Sequence, residues 1–316
     1  MASTLDPQVQ EYLHGLSEQG LPPLYRLPLA EARETYRDLS VPDEPPEPVD
    51  SVTDRTIPGP DGEIPIRIYR PTADGPRPAI AFFHGGGWML GGIETHDALC
   101  RALTNAADCV VVAIDYRLAP EHRFPDGLED CYAATQWLAA NAEEIGATPG
   151  ALAVAGDSAG ATLALGVSLL ARDRGGPSID YQVLAYPPAE FGFDTDSYEE
   201  NAQGYFLTRK DMERFWNGYI RSELDGDHPY AAPLQADRLD GLAPAFLLTC
   251  GFDPLRDGGV AYARQLVGDG VSVRFRNYPE MVHGFVTMLS ETEDVDRATE
   301  AVADLGADLR TAFDIE

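Results

Sequence analysis

The sequence predicts an α/β protein built on a mostly parallel eight-stranded sheet flanked by helices, with a helical cap. Three observations carry this. Short apolar runs alternate with helical patterns along most of the 316 residues. Several of those runs, such as Pro78 to Phe83 and Ala151 to Ala155, are continuously apolar, as strands covered on both faces must be. Between about 187 and 225 the alternation breaks, and an aromatic and acidic segment containing one helical pattern is interposed.

In chain order, Val9, Tyr12, Leu13 and Leu16 stand at i, i+3, i+4 and i+7, so residues 7–17 predict an amphipathic helix whose apolar face needs a surface to cover. Residues 42–50 are rich in proline and acid, cannot continue a helix and read as an extended linker. Strands are expected near 52–57, 64–69, 78–83, 109–114, 151–155, 181–186, 244–249 and 272–278, with helices between most of the later ones. Within 187–225, Met212, Phe215, Trp216 and Tyr219 repeat at helical spacing, and plain helix packing is the expected role for each of these aromatics. No internal repeat is present.

The residue that says most about chemistry is Ser158. It lies in Gly156-Asp157-Ser158-Ala159-Gly160, directly after an apolar strand. A strand feeding a G-x-S-x-G turn forms a nucleophile elbow, with the serine held in strained backbone and its hydroxyl exposed. Alone the pattern is weak, but three further segments follow the same logic. The strand ending at Phe83 runs into His84-Gly85-Gly86-Gly87-Trp88, a glycine loop whose amides can approach a ligand closely. The strand ending at Thr249 is followed by Asp253 and Asp257, either of which could orient a base, and His283 follows the last strand as that base. The chain order serine, acid, histidine is that of α/β-hydrolases and differs from the chymotrypsin and subtilisin orders.

Five segments together, His84 to Trp88, Asp115 to His122 with Phe124-Pro125, Gly156 to Gly160, Asp253 to Asp257 and His283-Gly284-Phe285, resemble the hormone-sensitive-lipase-like branch of the carboxylesterases in the α/β-hydrolase superfamily. The resemblance covers nearly the whole chain. It departs from the family at Ala161 and Thr162, where a third glycine and an asparagine usually follow the elbow. It implies an α/β-hydrolase fold, with 51–186 and 226–316 as catalytic domain, 1–50 as N-terminal cap helices and linker, and 187–225 as inserted cap. Among the two acids it selects Asp253, giving a Ser158, His283, Asp253 triad. It places the oxyanion hole at the amides of Gly86, Gly87 and Ala159, keeps Gly85 for the tightness of the loop, and gives His84 a bracing role. The expected activity is hydrolysis of short- to medium-chain acyl esters through an acyl-enzyme. An amide or formamide hydrolase would use the same groups, and a non-catalytic receptor on this fold is the reading from a different class. The retention of Ser158, Asp253 and His283 together argues against the receptor.

Composition bounds partners. A formal net charge of −29, from 52 acidic against 23 basic residues, disfavours nucleic acid. With Lys210 as the only lysine, it fits adaptation to high salt. No apolar stretch approaches the roughly 20 residues needed to span a bilayer. The first residues show no basic segment followed by an apolar core, so a cytoplasmic protein without a membrane span is expected. Cys100, Cys109, Cys131 and Cys250 have neither metal-ligand nor disulfide spacing and are expected to be buried free thiols. The proposed chemistry needs no metal or cofactor, and the partner expected is a small ester. A homodimer through the last sheet edge is an assembly the resemblance allows.

Overall fold

The computed structural model describes residues 4–41, 47–289 and 295–315. Part of the expected linker, 42–46, lies outside the described residues. Eight strands, β1 Ser51–Gly59, β2 Gly62–Arg70, β3 Arg77–Phe83, β4 Val110–Ile114, β5 Ala147–Asp157, β6 Tyr181–Ala185, β7 Ala245–Phe252 and β8 Val273–Val282, form one sheet in the order β1-β2-β4-β3-β5-β6-β7-β8. The pairs β1–β2 and β2–β4 are antiparallel, and every pair from β4 to β8 is parallel. Each expected strand is present.

The helices are α1 Pro7–Glu18, α2 Leu29–Ser40, α3 Asp97–Ala107, α4 Asp126–Ala140, α5 Ala159–Arg174, α6 Asp196–Glu200, α7 Arg209–Tyr219, α8 Glu223–Gly226, α9 Arg256–Gly268 and α10 Asp296–Ala312. The two-residue period of the strands sorts side chains between two cores. Ala79, Ala81 and Phe83 of β3, with Val110, Val112 and Ile114 of β4, face a core shared with α4 and α5. Ile80, Phe82, Val111 and Ala113 face the other, shared with α3 and α10. Burial on both faces is why these strands are continuously apolar. All four cysteines are free and buried in these layers.

Two strand boundaries differ from expectation for physical reasons. β5 begins at Ala147, because Ala147 pairs with Arg77 before Pro149-Gly150 shift the register so that Leu152 pairs with Ala79. β8 continues through Pro279 to Val282, which an edge strand allows because a missing N–H there interrupts only one ladder.

α7 and the N-terminal segment are tied together. Asp211 closes a capping box with Thr208 at the start of α7 and also accepts the Tyr25 amide at 3.1 Å, while the Arg214 guanidinium donates to the Leu24 carbonyl. No described helix is long and apolar enough to cross a membrane.

Candidate active site

The carboxyl ends of β3, β5, β7 and β8 converge on one region, where an open parallel sheet presents its loops to ligands. Each end delivers a group that the sequence singled out.

β5 delivers Ser158. Its φ of 52° and ψ of −124° lie in a region that residues with a side chain rarely adopt, and its amide donates to Ala185 O at 2.8 Å, fastening the strained residue to the end of β6. The elbow is as tight as the motif requires. A Cβ on Gly156 would lie 2.7 Å from the Ala161 nitrogen, and one on Gly160 would lie 2.7 Å from His84 O.

β7 delivers Asp253 and β8 delivers His283. His283 Nε2 lies 2.8 Å from Ser158 Oγ, and Nδ1 lies 2.8 Å from Asp253 Oδ2. The carboxylate is fully buried, and its other oxygen accepts the Leu255 amide at 2.8 Å. A carboxylate can only accept, so Nδ1 carries the proton and Nε2 is left to accept from the serine hydroxyl. Asp257, the competing acid, points elsewhere. It pairs with Arg256 and accepts the Ser197 amide at 2.8 Å. Glu280 pairs with Arg297.

β3 delivers the glycine loop. Gly86 and Gly87 have φ of 113° and 59°. A Cβ on Gly86 would meet the Leu90 carbonyl carbon at 2.7 Å, and one on Gly87 would meet the Phe215 ring, so these positions require glycine for both conformation and space. Among the described residues, nothing accepts from the amides of Gly86 and Gly87. The Ala159 amide, at the first turn of α5, is one of the donors that a helix start leaves unpaired. His84 stacks on Tyr116 with ring centroids 4.4 Å apart, its Nδ1 lies 2.7 Å from Gly85 O, and its own carbonyl accepts the Tyr116 hydroxyl. Burial, helped by the neighbouring His96, pushes His84 down to about 3, so it braces the loop as a neutral ring. Trp88 is buried and stacked on Tyr219 of α7, a packing role.

A cavity of about 490 Å³ opens over Ser158 and His283, within the range of small-molecule sites. Its walls include Leu13 and Leu16 of α1, Tyr36 of α2, Phe206, and Phe215 of α7. Of the four α7 residues at helical spacing, Phe215 faces this cavity, while Met212, Trp216 and Tyr219 are buried in the core.

Three contributors give no sign in the sequence of the contacts they make here. Tyr186 lies over His283 with centroids 4.6 Å apart. Asn201 donates to the backbone carbonyl of Asp253 at 3.2 Å. His96 is buried behind the glycine loop.

Comparison with known proteins agrees with this geometry. Residues 80–287 match a family model described as an alpha/beta hydrolase fold. The carboxylic ester hydrolase LipN of Mycobacterium tuberculosis is 48% identical over 243 residues, covering 75% of this chain and 65% of LipN. The carboxylesterase NlhH of the same organism is 43% identical over 264 residues, 81% of each chain. Among solved structures, the ester-hydrolase EH1AB1 from the metagenome of Lake Arreo superposes with a TM-score of 0.92 at 38% identity, covering 98% of this chain and 99% of that one.

Proposed function

The chain belongs to the hormone-sensitive-lipase-like carboxylesterases of the α/β-hydrolase superfamily and is a carboxylic ester hydrolase, and from that premise we propose that it cleaves short- to medium-chain acyl esters through Ser158, His283 and Asp253. The observation that carries the residue assignment is the unbroken run of hydrogen bonds from Asp253 through His283 to Ser158 at the floor of the cavity.

In the proposed reaction Ser158 Oγ attacks the ester carbonyl as its proton passes to His283 Nε2. Asp253 stabilises the imidazolium and holds its ring in place. Negative charge gathers on the former carbonyl oxygen, and the amides of Gly86, Gly87 and Ala159 receive it. A single such donor is typically worth about 3 kcal/mol of barrier. His283 then protonates the leaving alcohol, and water repeats the sequence to release the acid. The N-terminal segment and α7 act as the cap. Their ties through Asp211 and Arg214 and their shared cavity wall support that role.

Chain-length preference follows from the same cavity. At about 490 Å³, walled by Leu16, Phe206 and Phe215, it suits a modest acyl chain. With p-nitrophenyl acetate, butyrate, octanoate and palmitate, kcat/KM is expected to peak at butyrate or octanoate and to fall at least about 100-fold for palmitate, about 3 kcal/mol of lost transition-state binding. Palmitate turned over as well as butyrate would overturn the preference. No turnover of any ester by folded protein would overturn the assignment itself.

The acidic surface is proposed to make stability depend on salt. A formal charge of −29 repels itself across the surface, and molar salt shortens the screening length to about 3 Å. Melting in 0.1 M and 2 M KCl is expected to show Tm rising by about 10 °C or more, several kcal/mol for a chain of this size. An unchanged Tm would identify the charge as ordinary surface acidity.

A further inference from the structure

Behind the glycine loop lies a buried polar relay that the proposed chemistry does not use. His96 and Asp157 are both almost inaccessible to solvent. Asp157 Oδ1 accepts the Gly85 amide at 2.9 Å and lies 3.2 Å from His96 Nε2. At the other side of the ring, His96 Nδ1 lies 2.8 Å from Thr95 Oγ1. The Asp157 carboxylate can only accept, so the contact from His96 Nε2 places a ring N–H against it. The Gly85 amide lies 3.3 Å from the same nitrogen. On the far side Thr95 Oγ1, which also lies 2.8 Å from Gly92 O, is the hydrogen-bond partner of Nδ1.

The surroundings fix this arrangement. The His96 ring packs against His84 and Phe82, with centroids 5.5 and 6.0 Å away. Gly91 crosses so close behind the loop that a Cβ there would lie 2.8 Å from Gly85 O. Gly85 is equally confined, since a Cβ on it would lie 3.0 Å from Asp157 O. Burial alone would raise the Asp157 carboxyl, but His96 and the Gly85 amide overcome it and hold the group below its ordinary value. The relay thus connects the residue beside the nucleophile to the first glycine of the loop that faces it.

We propose that His96 is a positioning residue of the oxyanion hole. By bridging Thr95 and Asp157 it holds Asp157 on the Gly85 amide, and so sets where the amides of Gly86 and Gly87 point relative to Ser158. The inference rests on the ester-hydrolysis reading of this site. A loop displaced by even 1 Å costs on the order of 100-fold in rate, and the loss falls on kcat because the amides act on charge that develops in the transition state.

The side chains of asparagine and glutamine separate the relay from mere bulk. Glutamine can place its amide nitrogen near the position of Nε2 and donate to Asp157. Asparagine can serve Thr95 but falls short of Asp157. The test measures kcat and KM for p-nitrophenyl butyrate, together with hydrogen exchange by mass spectrometry over residues 84–92. His96→Asn is expected to lose about 100-fold in kcat with KM within about threefold, and to raise exchange in this segment while the rest of the sheet stays protected. His96→Gln is expected to restore most of both. Thr95→Val, which keeps the shape and deletes the far hydrogen-bond partner, supplies a milder arm with about a tenfold loss in kcat and guards against misfolding of the first variant. Wild-type kcat and protection in His96→Asn would overturn the proposal, as would a His96→Gln variant as impaired as His96→Asn. The exchange measurement decides the tether even if the protein hydrolyses no ester, so failure of the functional reading stays distinguishable from failure of this one.

Discussion

Ser158→Ala is expected to lower kcat for p-nitrophenyl butyrate by about 10⁴- to 10⁶-fold while the protein keeps its fold. The hydroxyl is the group that His283 Nε2 faces at 2.8 Å, and among the described residues no other nucleophile is hydrogen-bonded to that nitrogen. Its removal takes away the attacking atom and the proton that the histidine would receive. What survives is catalysis by the amides and by substrate binding, with water attacking unaided, which is why the residual rate stays above background. Folding is nearly indifferent to the change. The strained backbone at φ 52° costs alanine and serine about equally, and the Ser158 amide keeps its bond to Ala185 O. A Tm shift of a few degrees is therefore expected beside a loss of several orders of magnitude in rate. A loss below about 100-fold in a folded variant would assign the nucleophile elsewhere.

The segments that carry this prediction were legible because their chemistry is local. A strand, a tight turn and a helix start are consecutive in sequence, so Gly156 to Gly160 announces both the serine and its geometry. Asp253 follows an apolar strand and His283 an alternating one, each by a few residues, and parallel order then brings their loops to one edge of the sheet. The central strands were legible for a related reason, since burial on two faces writes a continuous apolar run. What lay beyond reach depends on pairings across long sequence separations. Asp157 meets Gly85 across 72 residues, and Tyr25 meets Asp211 across 186. His96 stands in a polar turn, Glu94-Thr95-His96, with nothing nearby in sequence to mark it as the centre of a relay. The helix over residues 7–17 left its apolar face without a partner in the sequence. The structure shows that Leu13 and Leu16 line the cavity, which no periodicity could state.

Gly160→Ala is expected to produce the largest loss of stability available from one added methyl group. Gly160 sits in the first turn of α5, where alanine is ordinarily the better helix former by about 1 kcal/mol, so propensity alone predicts stabilisation. Packing predicts the reverse. A Cβ at Gly160 would be driven into the Phe83 carbonyl group, 2.6 Å from its carbon, and would lie 2.7 Å from His84 O. These are backbone atoms at the end of β3, held by pairing with β4 and β5, and they cannot turn aside as a flexible side chain would. Either the helix withdraws from the sheet or the end of β3 moves, and each route breaks contacts in a close-packed interior. A destabilisation of about 4 kcal/mol is expected, read as a shift in the urea midpoint with the slope unchanged. Activity is expected to fall further than the folded fraction accounts for. The displaced atoms lead directly into Gly85 to Gly87, so the same methyl group that strains the helix also moves the amides away from the serine it flanks. A variant that is destabilised yet retains wild-type kcat would show that α5 absorbs the strain alone. A variant with unchanged stability would show that the elbow has room for a side chain at position 160 and that the glycine there is not required by contact with β3.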